Sequence, residues 1–180
     1  MIRRFEGHAP RLAADVYVDA MALVLGDVQI GEASSIWPMA AVRGDVHTIR
    51  IGARSNVQDN AVLHVTHDGP YSPGGAALQI GDDVTIGHGA ILHACTVGNR
   101  CLIGMGAVIM DKAVLEDEVY VAAGALVSPG KRLRSGYLYR GTPAEAARPI
   151  TDQEREFLAY SAAHYVRVKN RHMAASEDLG

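Results

Sequence analysis

The 180-residue sequence has little of what usually fills a protein core: two phenylalanines and one tryptophan stand against nineteen glycines. A core centred on large rings is not expected, and small or β-branched side chains stacked between tight turns fit the composition better. A surplus of one charge is missing as well. The formal net charge of −3 gives no support to a nucleic acid or an anionic membrane surface as partner. No window approaches about 18 consecutive apolar residues, so no membrane-spanning helix is expected. Residues 1–12 carry Arg3, Arg4, Glu6 and His8 without an apolar run, so no secretory leader is expected either. Two cysteines, Cys95 and Cys101, are too few for a zinc knuckle and lie in apolar surroundings, where buried free thiols are expected. What is present is a hydrophobic fraction of 48%, enough for one packed domain, with a cytoplasmic location expected.

The apolar residues are spaced in a way that names the architecture. An aliphatic residue recurs every six positions at Val18, Val24, Ile30, Ile36 and Val42, and after an insertion at 44–50 it resumes at Ile51, Val57 and Leu63. After a longer insertion at 67–79, rich in glycine and proline, it continues at Ile80, Ile86 and Leu92. It then skips one residue to Val97 and runs through Ile103, Ile109, Leu115, Val121 and Val127. A helix would repeat near 3.6 and a half-buried strand at 2. A sustained period of six is the hexapeptide pattern of a parallel β-helix, in which three hexapeptides make one triangular coil. The seventeen rungs predict between five and six coils, with the insertions as loops. The spacing does not give the handedness.

The expected fold class is therefore an all-β solenoid followed by a C-terminal α-helix. Residues 1–149 form the solenoid, with a cap up to about Tyr17 and an irregular descent over 130–149. Thr151 and Glu154 make a capping box that opens a helix over 150–172, packed along the outside of the coil. Residues 173–180 are expected to be a disordered tail.

The register turns a scatter of histidines into a pattern. Val42, Leu63 and Leu92 fall on one face in three successive coils, so Arg43, His64 and His93, one residue on, form a column spaced by ~4.8 Å. Two imidazoles at that spacing can share one metal ion, and Asp45 lies two residues beyond Arg43. His88 lies on the preceding face, five residues before His93, and cannot easily join the pair within one chain. It can do so from a second copy, and a three-fold arrangement of parallel prisms would make three equivalent sites. The plainer alternative is that the histidines stack for packing and that Arg43 and Asp45 form a surface ion pair.

Arg43-Gly44-Asp45, then Ser55-Asn56-Val57-Gln58-Asp59 leading into Val62-Leu63-His64, then Gly87-His88-Gly89-Ala90-Ile91-Leu92-His93 closely resemble the γ-class carbonic-anhydrase-like hexapeptide family. The resemblance runs from about Ile2 to Tyr160-Ser161-Ala162. It implies a left-handed β-helix and a homotrimer. It also implies a Zn²⁺ ion (or Fe²⁺ or Co²⁺) held by His64 and His93 of one subunit and His88 of its neighbour. Arg43 and Asp45 would be the intersubunit ion pair supporting the site. Gln58 would orient the metal's water, with Asn56 close by and Tyr160 over the site. Such a metal lowers the pKa of its water to about 7, giving a hydroxide that attacks CO₂ to form bicarbonate.

Two departures bear on rate. The family archetype carries a glutamate in the loop after its first metal histidine, for proton export; here the 67–79 loop has Asp68 as its only carboxylate. Val46 stands where the archetype has a second glutamate. His67, Tyr71 or Tyr160 would have to move the proton. Acyl-coenzyme A thioester hydrolysis or acyl transfer, or a trimer that binds metal without catalysis, are the competing readings, because the fold alone does not separate them.

Overall fold

A computed structural model of the chain describes residues 1–175. The period of six is realised as a triangular prism of about eight turns, with three inward columns of aliphatic side chains. On the first face Val18, Ile36, Val57, Ile86, Ile103, Val121 and Tyr139 stand in register through parallel pairing. On the second, Val24, Val42, Leu63, Leu92, Ile109 and Val127 do the same. On the third, Ile30, Ile51, Ile80, Val97, Leu115 and Leu133 complete the core. Most of these side chains are fully buried, each worth about 1.5–3 kcal/mol of transfer free energy. Cys95 and Cys101 lie among them as buried free thiols, and burial pushes both up to about 12.

The corners explain the glycines and short polar residues between rungs. From the third face to the first, Ala33, Arg54, Asp83, Arg100 and Glu118 all adopt left-handed backbone, with φ between 51° and 58°. A ladder of side chains ties successive coils there. The N–H of Ala53 donates to Asp82 (2.8 Å), that of Asp82 to Asn99 (2.9 Å), and that of Asn99 to Asp117 (2.7 Å). Each acceptor satisfies a backbone donor that the turn would otherwise leave without a partner.

Several boundaries differ from the sequence expectation. Residues 44–50 are not a protruding loop. They lie inside the strand Ala41–Ile51, which pairs with Leu23–Ile30 and bends from the second face to the third, with a register shift between Gly26 and Val28. Gly26 makes that bend possible: its φ is +82°, and a Cβ there would lie 2.2 Å from the Gly44 carbonyl oxygen. The coil count exceeds five to six because the chain adds rungs at both ends. Ile2–Arg3 and Arg11–Leu12 pair parallel with Leu23–Ile30. Past Val127, Leu133 and Tyr139 keep the period, and Glu145–Pro149 then folds back antiparallel on Tyr137–Arg140 and covers the last edge.

The capping box forms: the Glu154 N–H donates to Thr151 Oγ1 (3.1 Å) and the Thr151 N–H to Glu154 Oε2 (2.9 Å). The helix spans Asp152–Ala175, three residues beyond the expected end, while 176–180 of the expected tail lie outside the described residues. Its buried residues Leu158, Ser161, Ala162 and Lys169 lie toward the first face. Its far end is held where Trp37 meets Tyr17, Tyr165 and His172 with ring centroids 5.0–5.7 Å away. Among the described residues no helix is long and apolar enough to cross a membrane.

Candidate metal centre

His64 and His93 end the strands Val62–His64 and Ile91–His93, which pair in parallel with His93 directly opposite His64. Their side chains leave the second face and turn toward each other, His64 Nδ1 lying 3.1 Å from His93 Nε2. Each outer nitrogen meets a carboxylate: His64 Nε2 lies 3.0 Å from Asp45 Oδ1, and His93 Nδ1 2.8 Å from Asp111 Oδ1. Arg43 donates to Asp45 at one end of this row, and Thr66 Oγ1 to Asp111 at the other.

Counting protons along the row shows what it is suited to hold. Asp45, His64, His93 and Asp111 make three contacts, and carboxylates only accept. Two neutral imidazoles supply two ring protons, which belong on the carboxylate sides. Two nitrogen lone pairs then face each other across 3.1 Å, an arrangement that a cation between them would satisfy. A third proton on either ring would bridge the two nitrogens by a hydrogen bond instead; on His64 burial opposes it, holding that imidazole below the ordinary histidine value. The Arg43 charge adds to that, against the opposing pull of Asp45. Burial pushes Asp45 and Asp111 up, but hydrogen bonds from Arg43 and His64 to the first, and from Thr66 and His93 to the second, outweigh it and keep both ionised. Two nitrogens bound to one tetrahedral zinc at about 2.05 Å stand about 3.3 Å apart, within a few tenths of the gap observed. Carboxylates fixing the outer ring nitrogens are the usual support of metal-binding imidazoles.

His88 stands elsewhere. It occupies the turn from the first face to the second, just before Gly89 with φ +67°, and its Nδ1 lies 2.9 Å from Asp59 Oδ2. It is half exposed and makes no hydrogen bond to His64 or His93; among the described residues no group of three potential ligands converges. His88 instead lines a cavity of about 340 Å³ between the helix and the first face, together with the polar side chains of Gln58, Thr85, Ser161 and Tyr165. Leu102, Met105, Tyr120 and Phe157 line it too. Asn56 is fully buried beneath Gln58 and accepts from its Nε2 (3.0 Å).

Tyr160 is not part of that cavity. It is 57% exposed, with its ring stacked between Phe157 and His164 and the Arg167 guanidinium 5.6 Å away. Tyr165 lines the cavity, and burial, helped by the charge of Asp59, raises its hydroxyl above the ordinary tyrosine value. His67 and Tyr71 line a separate cleft of about 510 Å³ that also reaches Asp111 and Lys112, and Asp68 accepts from the Gly74 N–H (2.7 Å) within the loop. Asp111 and Tyr165 were not found from the sequence. Asp111 follows Met110, the coil-mate of His93, by one residue; Tyr165 shares a helical stripe with Leu158, Ser161 and Ala162.

The second face presents an apolar column outward beside the histidine pair. Leu23, Ala41, Val62, Ile91, Val108 and Leu126 stack in register, with Val62 and Ile91 40% and 41% exposed. Exposed apolar ladders of this length mark protein–protein contact surfaces.

Comparison with known proteins agrees with the coil. The profile described as bacterial transferase hexapeptide (six repeats) matches residues 77–109 and 94–129. Protein YrdA of Escherichia coli is 46% identical over 173 residues, which cover 96% of this chain and 94% of that one. Gamma carbonic anhydrase 1, mitochondrial, of Arabidopsis thaliana is 43% identical over 92% of this chain, which spans 60% of the plant protein's length. A solved structure from Bacillus cereus, put forward as an acetyltransferase, superposes with a TM-score of 0.88 at 36% identity, covering 96% of each chain. By these likenesses, which span nearly all of this chain, and the motifs that carry the histidines, the chain belongs to the γ-class carbonic-anhydrase-like family of hexapeptide-repeat proteins.

Proposed function

We propose that three copies of this chain associate through their second faces and hold one divalent metal between each adjacent pair, for the reversible hydration of CO₂ to bicarbonate. His64 and His93 come from one copy and His88 from the next. The observation that carries the reading is the row Asp45–His64–His93–Asp111, in which a carboxylate holds the outer nitrogen of each ring and the two inner nitrogens face each other across 3.1 Å. The exposed apolar column beside the pair supports association of copies, and the corner position of His88 leaves its Nε2 available to a neighbour. Three neutral imidazoles suit Zn²⁺, and also Fe²⁺ or Co²⁺.

Zinc so held would supply a Lewis acid and a water ionising near neutrality, about pH 7. The chain's own groups do the rest. Asp45 and Asp111 fix the tautomers of the two histidines, and Arg43 keeps Asp45 ionised. Gln58 donates its Nε2 to Asn56, so its carbonyl oxygen is the end left to accept a proton-bearing group in the His88 cavity. His67 and Tyr71, in the cleft that reaches Asp111, are the groups placed to pass a proton to buffer.

Metal analysis of protein purified anaerobically without chelator, followed by stopped-flow CO₂ hydration, tests this. One metal per chain, lost in His64→Ala and His93→Ala together with turnover, is expected. Metal without acceleration would refute the reaction and leave a metal-binding trimer; no metal at all would refute the site.

A second reading rests on the apolar side chains that line the His88 cavity. Leu102, Met105, Tyr120 and Phe157 offer a surface that CO₂ does not need, and that an acyl group of a thioester would fill. A screen of acyl-coenzyme A thioesters for hydrolysis separates this reading from the first.

A further inference from the structure

We infer that Thr85 and Ser161 are positioning residues, forming with Asn56 a buried hydrogen-bonded relay that carries the docking of the C-terminal helix to the side-chain amide of Gln58. The relay has three links. Gln58 Nε2 donates to Asn56 Oδ1 (3.0 Å), Asn56 Nδ2 to Thr85 Oγ1 (3.1 Å), and Thr85 Oγ1 lies 3.0 Å from Ser161 Oγ on the helix. All four residues are buried, from 0% exposure for Asn56 to 7% for Ser161.

The sense of the relay is fixed by the backbone. Asn56 Nδ2 also faces the Val84 carbonyl oxygen at 3.4 Å. A carbonyl only accepts, so the asparagine amide must turn its nitrogen toward Val84 and Thr85 and its oxygen toward Gln58. Gln58 is then obliged to donate with Nε2, and its oxygen points away as an acceptor. Without the relay a glutamine amide can flip, presenting donor and acceptor about equally. Thr85 and Asn56 are themselves coil-mates, paired directly on the first face, so the relay crosses one rung and then steps onto the helix. Ser161 is the residue that closes it, a small polar side chain buried between Leu158 and Ala162.

The consequence for chemistry rests on the reading of Gln58 as the group that orients the reacting water; the relay itself does not. The test therefore has two readouts. The side-chain amides of the four glutamines, labelled with ¹⁵N, report hydrogen exchange of Gln58 directly, with Gln58→Glu assigning its signal. CO₂ hydration by the metal-loaded protein reports kcat separately. Thr85→Val, which keeps shape and loses the hydroxyl, is expected to abolish the slow exchange of the Gln58 amide and to lower kcat about tenfold with metal content unchanged. Thr85→Ser restores both. Ser161→Ala, at the far end and safe for folding, is expected to speed Gln58 exchange by a smaller factor. Gln58 exchange unchanged in both Thr85→Val and Ser161→Ala would overturn the relay. Faster exchange with undiminished kcat would uphold the relay and refute the assigned role of Gln58.

Discussion

Replacing Asp111 with asparagine separates a metal site from a mere stack of histidines. The change conserves shape and removes the charge that fixes the proton of His93. In the native row the three contacts of 3.0, 3.1 and 2.8 Å have two ring protons between them, and the middle gap is left to a cation. With asparagine, Nδ2 can donate to His93 Nδ1 while Oδ1 still accepts from Thr66. His93 then carries its proton on Nε2 and donates to His64 Nδ1, so all three contacts are satisfied without a cation. A metal must break that hydrogen bond and bind a less basic imidazole. Loss of such a supporting carboxylate costs about 10- to 100-fold in metal affinity, or about 1.4–2.7 kcal/mol. The metal-free protein, by contrast, gains a hydrogen bond of about 1 kcal/mol net and melts no lower than metal-free wild type. Competition against a chromophoric chelator measures the first effect and thermal melts of metal-free protein the second. Affinity within about twofold of wild type, or a metal-free variant destabilised by more than about 2 kcal/mol, would refute the proton count.

Three other outcomes follow from the same structure. Equal mixing of His88→Ala with His64→Ala subunits should restore about a quarter of the sites, since an intact interface needs a His64 donor followed by a His88 donor; metal content after refolding together measures it. Gly26→Ala should destabilise by at least about 2 kcal/mol in denaturant melts, because φ +82° and the Gly44 carbonyl both oppose a Cβ. Arg148 and the Thr151 N–H pull Glu154 down from 4.5 to about 2. Its contribution to stability is thus complete above the unfolded value of 4.5 and lost as pH falls through about 2, so the melting difference between wild type and Glu154→Gln should shrink over that window.

Much of this was legible because a coil repeats its geometry. Once every sixth residue is known to point inward, the residue after it points outward, and His64 opposite His93 follows from counting. What escaped lies where the chain departs from the repeat. Asp111 sits one residue past the column, at the corner that brings its carboxylate back to His93. The bend at Gly26 and Gly44 absorbs residues 44–50 into a continuous strand, which no hexapeptide count foresees. Leu133 and Tyr139 keep the period, but Lys131, Arg132 and Arg134 around them disguise it. On the helix, the stripe Leu158, Ser161, Ala162 and Tyr165 sets the buried phase through its small residues, and that phase puts Tyr165 in the cavity and Tyr160 in solvent.

Anomalous diffraction from crystals of the assembled protein, purified with its metal, addresses the central claim most directly. One peak per chain is predicted between His64 Nδ1 and His93 Nε2, completed by His88 of a second copy. An assembly that leaves His88 in solvent, or a pair of histidines bridged by nothing but a hydrogen bond, would contradict it.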